Sequence, residues 1–198
     1  MGFDLEKGSS FDLTKEAPGL KTAGVGLGWV TSADLDVSAF CLAEDGQIAN
    51  ATDFVYYKSV NQQVLEGEDG PRPYSTDGAV YGAIDVQEGE EDEDGGDDED
   101  MWIYFETISD AVKEIVVVVT IHDKGVTFSD VSGAYCRIWD AETEKELCRY
   151  TMSDDFGNED AVVIGKFSRE GSGWSFTAIG DGYAGGLGKL VSIYAHKF

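Results

Sequence analysis

The chain is organised around one apolar run, Ile115-Val116-Val117-Val118-Val119-Thr120-Ile121. All seven of its residues are β-branched, and such residues favour strands because their side chains pack well on a pleated surface. A continuous apolar strand is typical of the centre of a sheet. The run is followed directly by His122-Asp123, so a carboxylate is expected at the end of this central strand. The run is also far shorter than the roughly 20 residues of a membrane-spanning helix.

Short β-rich segments recur on both sides of the central run, separated by turn residues such as Asp45-Gly46. They cover residues 23–29, 34–40, 53–58, 78–86, 102–105, 135–139, 147–152, 161–168 and 174–179. This spacing predicts an all-β fold, a two-sheet β-sandwich of about ten strands with one or two short helices. One helix is expected near the C-terminus. We expect residues 1–198 to form a single domain, because the length is ordinary for one.

Two of the predicted strands have unusual side-chain patterns. Residues 23–29 alternate glycine with larger residues, which indicates that another part of the chain approaches the backbone closely. Residues 34–40 alternate so that Asp34, Asp36 and Ser38 share one face. Two aligned aspartates on a rigid strand could hold a cation, and a half-exposed edge strand would show the same pattern.

Residues 88–100 carry ten carboxylates in thirteen positions and no basic side chain. Two carboxylates about 4 Å apart repel by roughly 4 kcal/mol at an effective dielectric constant near 20. The run must therefore stay spread out in water, take up protons or close around cations. Oxygen ligands alone favour calcium or magnesium over transition metals. A solvated acidic loop, which needs no cation, is the alternative.

The composition limits the classes of partner and the cellular compartment. A formal net charge of −25 argues against nucleic acids and anionic membranes as partners. Cys41, Cys136 and Cys148 lie in apolar runs without metal-binding spacing, which indicates buried thiols in a reducing compartment. The first residues lack the basic start and apolar core of a signal peptide. We therefore expect a cytoplasmic protein that does not insert into membranes.

A glycine-rich segment near the end of the chain, Gly180-Asp181-Gly182-Tyr183-Ala184-Gly185, fits the pattern G-x-G-x-x-G. A dinucleotide fold would also need an acidic residue about 20 positions further on, and only thirteen residues follow Gly185. An anion such as a nucleotide phosphate bound by residues 180–188 is retained as an alternative function. A metal-assisted hydrolase is a third hypothesis, although no nucleophile, P-loop or EF-hand pattern is present.

Several stretches, taken together and in this order, resemble the TerD family of tellurium-resistance and stress-response proteins. They are Leu13-Thr14-Lys15-Glu16-Ala17-Pro18, Val25-Gly26-Leu27-Gly28-Trp29, Asp34-Leu35-Asp36, Gly96-Asp97-Asp98-Glu99, Thr120-Ile121-His122-Asp123 and Gly180-Asp181-Gly182-Tyr183-Ala184-Gly185-Gly186-Leu187. The resemblance implies a β-sandwich that binds calcium through acidic loops at one end. It implies no catalytic activity, so the chain is not expected to be an enzyme.

The resemblance implies a set of calcium ligands that the carboxylate pattern also predicts, except for Asp85, which the resemblance alone adds. They are Asp34, Asp36, Asp85, Asp97, Asp98, Glu99 and Asp123. The chain departs from the family pattern in three places: Val86 stands where an Asn is usual, Lys58-Ser59 replaces a polar Asn pair, and the acidic loop is longer than usual. These departures count against a second calcium position and leave the first one as predicted. The predicted function is a calcium-responsive scaffold or interaction module in tellurite, metal or envelope stress, with calcium and other stress-response proteins as partners.

Overall fold

The computed structural model describes residues 2–31, 33–84, 96–152 and 156–198. These residues contain fourteen strands and two α-helices. The strands are β1 (Phe3–Leu5), β2 (Ser10–Asp12), β3 (Thr22–Val30), β4 (Leu35–Leu42), β5 (Phe54–Val55), β6 (Gln62–Val64), β7 (Pro71–Pro73), β8 (Val80–Tyr81), β9 (Glu99–Tyr104), β10 (Glu114–Ile121), β11 (Ser132–Asp140), β12 (Lys145–Thr151), β13 (Ala161–Glu170) and β14 (Gly173–Tyr183). The helices are α1 (Leu13–Glu16) and α2 (Gly186–Tyr194). Neither helix combines the length and apolar character required to span a membrane.

The strands form two six-stranded sheets and a separate hairpin of β6 and β7. The first sheet has the order β1-β12-β11-β3-β9-β8, and the second has the order β2-β14-β13-β10-β4-β5. The inward-facing side chains of both sheets make one large core, which includes Val25, Val117 and Phe167. The predicted all-β fold of two sheets, with a short helix near the C-terminus, is thereby confirmed. The number of strands exceeds ten because six of them have only two or three residues.

The apolar run predicted to be central is β10, which lies between β13 and β4 in the second sheet. Its inward residues join the main core, and its outward residues Val116 and Val118 pack beneath α2 in a second cluster with Phe40 and Leu190. The helix therefore covers the face of the sheet that would otherwise meet water. The neighbouring strand β4 is buried at every position. It is an internal strand, so the edge-strand interpretation of its alternating pattern is wrong.

The glycines of β3 point away from the core, on the outer face of the first sheet. A Cβ atom on Gly24 would lie 2.1 Å from the Trp139 ring, and one on Gly28 would lie 2.4 Å from the Tyr135 ring. A Cβ atom on Gly26 would lie 2.0 Å from the Asp97 carboxylate. Side chains from β11 and from the segment before β9 therefore lie directly on the β3 backbone. This confirms the close approach that the glycine pattern predicts.

Candidate cation site at one end of the sandwich

Three segments bring acidic residues to the same end of the sandwich, where four strands begin or end. β3 and β10 end there, and β4 and β9 begin there, because β3 is antiparallel to β9 and β4 is antiparallel to β10. We call this region, formed by Asp34, Asp36, Asp98, Glu99 and Asp123, the carboxylate pole. Its members come from three segments that are distant in sequence. The structure therefore places five of the seven residues predicted as calcium ligands at one end of the sandwich.

Three carboxylates of the pole bind backbone amides in and beside the β3–β4 connection. Asp98 Oδ2 accepts from Trp29 N at 2.8 Å, and Asp123 Oδ2 accepts from Asp34 N at 3.1 Å. Glu99 Oε2 accepts from Val37 N at 2.7 Å, a contact that crosses from the first sheet to the second. The connection is thus held by carboxylates from two other segments of the chain.

The remaining part of the pole lies on the outer face of the second sheet. Asp36 pairs with Thr120 across β4 and β10, and both side chains are buried. Ser38, on the same face, is fully buried, and its hydroxyl has no hydrogen-bond partner among the residues that the structure describes. The Lys58 ammonium lies over the Tyr57 ring. A hydrogen bond with Tyr57 is the main cause that raises the Lys58 pKa, and the charge of Asp36 adds to it.

Asp97 is directed away from the pole. Its carboxylate accepts two hydrogen bonds from Arg137 Nε, at 2.8 and 2.9 Å, and a third from Arg137 Nη2 at 2.7 Å. The Tyr135 hydroxyl donates to the same carboxylate at 3.0 Å. Burial, and then the negative charge of Asp97, raise the Tyr135 pKa to about 12. Asp97 therefore fastens the start of β9 to β11, and Arg137 already compensates its charge.

A cleft of about 540 Å³ lies beside the pole, lined by Asp98, Glu99 and Asp100 on one side. Arg72, on β7, forms its base and is 4% exposed. The Arg72 guanidinium binds the Glu68 carboxylate through Nε at 2.7 and 2.8 Å, and Asp100 Oδ1 through Nη2 at 2.7 Å. It also donates to the backbone carbonyls of Gly82 and Asp100. This network fixes the start of β9, where Asp100 follows Glu99.

The chemistry of the pole fits a hard divalent cation, since every candidate ligand is oxygen. The carboxylates are nevertheless engaged with backbone amides, as described above. Within residues 2–31, 33–84, 96–152 and 156–198, no three acidic, histidine or cysteine side chains are close enough to hold one metal ion. A bound cation would therefore require some of these carboxylates to turn from amides towards the ion. Asp85 and the acidic residues up to position 94 lie outside the described residues.

The glycine-rich segment 180–188 already binds an anionic group from the protein itself. Asp160 Oδ1 accepts from the backbone amides of Gly185 and Gly186, both at 2.7 Å, at the start of α2. This carboxylate occupies the helix N-terminus, where a phosphate would be attracted by the amides and the helix dipole. An external anion would have to displace Asp160 in a protein whose net charge is already −25.

Three residues that organise this end of the molecule were missed by the sequence-based reasoning: Arg72, Arg137 and Asp160. Each is a single charged residue that binds a partner 25 to 40 positions away, and Arg72 also binds Glu68, four positions away. For Arg72 and Arg137 a signal was available, because they are two of the four arginines in a chain with 39 acidic residues. Arginines in such a chain are expected to be paired.

Comparisons with known proteins identify the family of this chain. Residues 1–194 match the family described as "TerD domain". The chain is 36% identical to "Tellurium resistance protein TerD" of Serratia marcescens, over 98% of this chain and 97% of that protein. It is 39% identical to "General stress protein 16U" of Bacillus subtilis (strain 168), over 98% and 97%.

The fold has also been seen in a solved structure. A crystal structure of a homologue of telluride resistance protein (TerD) from Streptomyces coelicolor A3(2) aligns with a TM-score of 0.59 and 22% identity. The alignment covers 88% of this chain and 96% of the other. At this identity the likeness concerns the fold alone, while the family match spans nearly the whole sequence. The chain therefore belongs to the TerD domain family.

Proposed function

We propose that the carboxylate pole binds calcium, and that the bound form acts as a scaffold or interaction module in a stress response. The observation that carries the proposal is the convergence of Asp98, Glu99 and Asp123 on the β3–β4 connection, within 3.1 Å of its backbone amides. Asp34 and Asp36 belong to that connection and to the start of β4. Calcium takes six to eight oxygen ligands in flexible geometry, so it suits carboxylates that can exchange amides for an ion.

The physical role of the cation would be to remove repulsion between negative charges. Carboxylates held about 4 Å apart repel by roughly 4 kcal/mol at an effective dielectric constant near 20, and no arginine lies between Arg72 and Arg137 in the sequence. Two arginines already neutralise the neighbours of the pole, Arg72 at Asp100 and Arg137 at Asp97. The pole itself has Lys58 beside Asp36. A divalent cation would neutralise the remaining carboxylates of the pole and would link the ends of β4, β9 and β10.

The stress-response part of the proposal rests on the relatives. One is named for tellurium resistance and another as a general stress protein. A binding role without catalysis is proposed, because the pole offers carboxylates and backbone amides but no paired nucleophile and base. A cytoplasmic location forms part of the same proposal. It is supported by Cys41, Cys136 and Cys148, which are buried free thiols, as expected in a reducing compartment.

Calcium at millimolar concentration is expected to raise the melting temperature of the protein. A ligand present at a hundred times its dissociation constant adds about 2.7 kcal/mol to the free energy of unfolding. The measurement is a thermal-shift titration with calcium chloride, compared with sodium chloride at the same ionic strength, because screening alone also relieves repulsion. Asp123→Asn and Glu99→Gln keep an oxygen that can accept the amide hydrogen bond but lose the charge. Both are expected to reduce the calcium-dependent increase.

The matched control is Glu142→Gln, which removes one carboxylate in the exposed turn between β11 and β12, at the opposite end of the sandwich. This variant is expected to respond to calcium as the unmodified protein does. The proposal fails if calcium gives no more stabilisation than sodium chloride. It also fails if Glu142→Gln and Asp123→Asn lose the response equally, because that result would indicate a general charge effect.

A further inference from the structure

An apolar groove lies between α2 and the edge of the second sheet. We call it the α2 groove. Its volume is about 430 Å³, within the range of roughly 300–1,000 Å³ typical of small-molecule sites. The side chains that form its walls are Ile48, Phe54, Tyr56, Leu187, Val191 and Phe198. All are apolar except for the Tyr56 hydroxyl.

One wall of the groove is formed by a stack of parallel aromatic rings. Phe40 and Phe54 stack with centroids 4.5 Å apart and an angle of 3° between their planes. Phe54 and Tyr56 stack at 4.2 Å and 5°. Phe40 is fully buried and belongs to the cluster beneath α2. The wall is therefore anchored in the core, and its shape does not depend on a ligand.

On the opposite wall, Gly188 contributes no side chain to the groove. Gly188 lines the groove on α2, and a Cβ atom built there would meet no other atom within 4 Å. Gly188 is the third residue of α2 and is exposed, so a Cβ atom would fit there in the free protein. Space in the groove is the property that glycine preserves.

The electrostatic character around the groove differs from that of the rest of the molecule. Residues 182–198 contain no acidic side chain but include Lys189, His196 and Lys197, in a chain of net charge −25. All three basic residues are exposed. Lys189 adjoins Gly188, and Lys197 adjoins Phe198 and pairs with Asp45. An apolar ligand with one negative group could place that group near Lys189, whereas Lys197 already pairs with a carboxylate.

A large protein partner fits the groove less well. A stable protein interface buries about 800 Å² on each partner, and apolar anchors are usually found at its centre. Among the described residues, five large apolar side chains are exposed, and only the last of them lines the groove: Phe3, Val30, Val60, Val64 and Phe198. No wide apolar surface surrounds the groove, which favours a compact ligand.

We propose that the α2 groove binds a single-chain amphiphile, an apolar chain with one anionic head group of the fatty-acid class. The apolar chain lies between the aromatic wall and α2, against Leu187 and Val191. The head group lies at the rim, near Lys189. This site is separate from the carboxylate pole and does not depend on a cation.

The test is isothermal titration of the full chain with dodecanoate, below the concentration at which it forms micelles, and in parallel with the uncharged dodecan-1-ol. One dodecanoate is expected to bind per chain. Gly188→Leu fills the groove, so it is expected to weaken dodecanoate binding about tenfold or more by removing the apolar contact area. Lys189→Gln is expected to weaken dodecanoate about two- to fivefold, the value of an exposed charge pair, and to leave dodecan-1-ol unchanged.

Ser192→Leu is the matched control, because it adds the same side chain at an exposed position on α2 that does not line the groove. It is expected to bind dodecanoate normally. Circular dichroism of Gly188→Leu checks that α2 is retained. The proposal is overturned if dodecanoate does not bind, or if it binds Gly188→Leu as tightly as the unmodified protein. A dimer in sedimentation that Gly188→Leu dissociates would also overturn it, since a second copy would then occupy the groove.

Discussion

Replacing Arg72 by methionine is expected to lower the free energy of unfolding by about 3–5 kcal/mol, the usual cost of removing one partner from a buried ionic network. The Arg72 side chain is 4% exposed and binds two carboxylates, Glu68 and Asp100. It also satisfies the carbonyls of Gly82 and Asp100. Methionine has a similar length but no donor, so it would leave two negative charges and two carbonyls without their partner.

The loss is expected to extend beyond β7, because Asp100 follows Glu99 of the pole and belongs to the same strand, β9. Urea unfolding followed by tryptophan fluorescence measures the change. Lys21→Met is the control, since it removes one positive charge from an exposed side chain, and such changes usually stay within about 0.5 kcal/mol. If Arg72→Met costs no more than Lys21→Met, Arg72 does not support this end of the sandwich.

Replacing Phe167 by alanine is expected to lower the free energy of unfolding by about 3–5 kcal/mol, as for other buried phenylalanines. Phe167 is fully buried on β13, and its side chain belongs to the main core between the two sheets. Its ring lies 4.9 Å from that of Phe176 and 6.2 Å from that of Phe105. Phe105 directly follows β9 of the first sheet. Truncation would leave a cavity between the sheets.

Urea or thermal unfolding again measures the change, and the chain offers a matched control in Phe3→Ala. Phe3 is 64% exposed on β1, so the same truncation there is expected to cost less than about 1 kcal/mol. Equal losses in the two variants would contradict the assignment of Phe167 to the core between the sheets.

The sequence predicted the central part of the fold well because the local signal there agrees with the tertiary environment. β10 is continuous and apolar, and it is buried on both faces. Short strands were harder to predict. Residues 53–58 were expected to form one strand, but β5 contains only Phe54–Val55. The Ser59 hydroxyl donates to Phe54 O and accepts from Tyr56 N, which turns the backbone away from the sheet.

The position of β4 could not be predicted from its own residues. Its alternation of Asp34, Asp36 and Ser38 with apolar residues is the pattern of a strand with one exposed face. In the structure α2, which lies about 150 residues later, covers the outer face next to Phe40 and Leu42. The polar residues at the start of β4, Asp36 and Ser38, are buried as well. A local pattern does not contain that information.

The candidate site was predictable in part. Asp34, Asp98, Glu99 and Asp123 lie at strand ends, and ends of neighbouring antiparallel strands meet at one edge of a sandwich. The sequence also favoured Asp97, which adjoins Asp98. The side chains of Asp97 and Asp98 diverge, one to Arg137 and the other to Trp29 N. The partner of each carboxylate is set by long-range packing, which single-sequence patterns do not report.

The most direct measurement is the effect of calcium on the amide resonances of Trp29, Asp34 and Val37, observed in ¹⁵N-labelled protein. Each of these amides donates to a carboxylate of the pole, so a cation that engages those carboxylates must change the three hydrogen bonds. The account predicts saturable shifts of these three resonances as calcium is added, with Gly185 and Gly186 unaffected. It is contradicted if the three amides remain unchanged at millimolar calcium, or if the shifts occur only elsewhere in the chain.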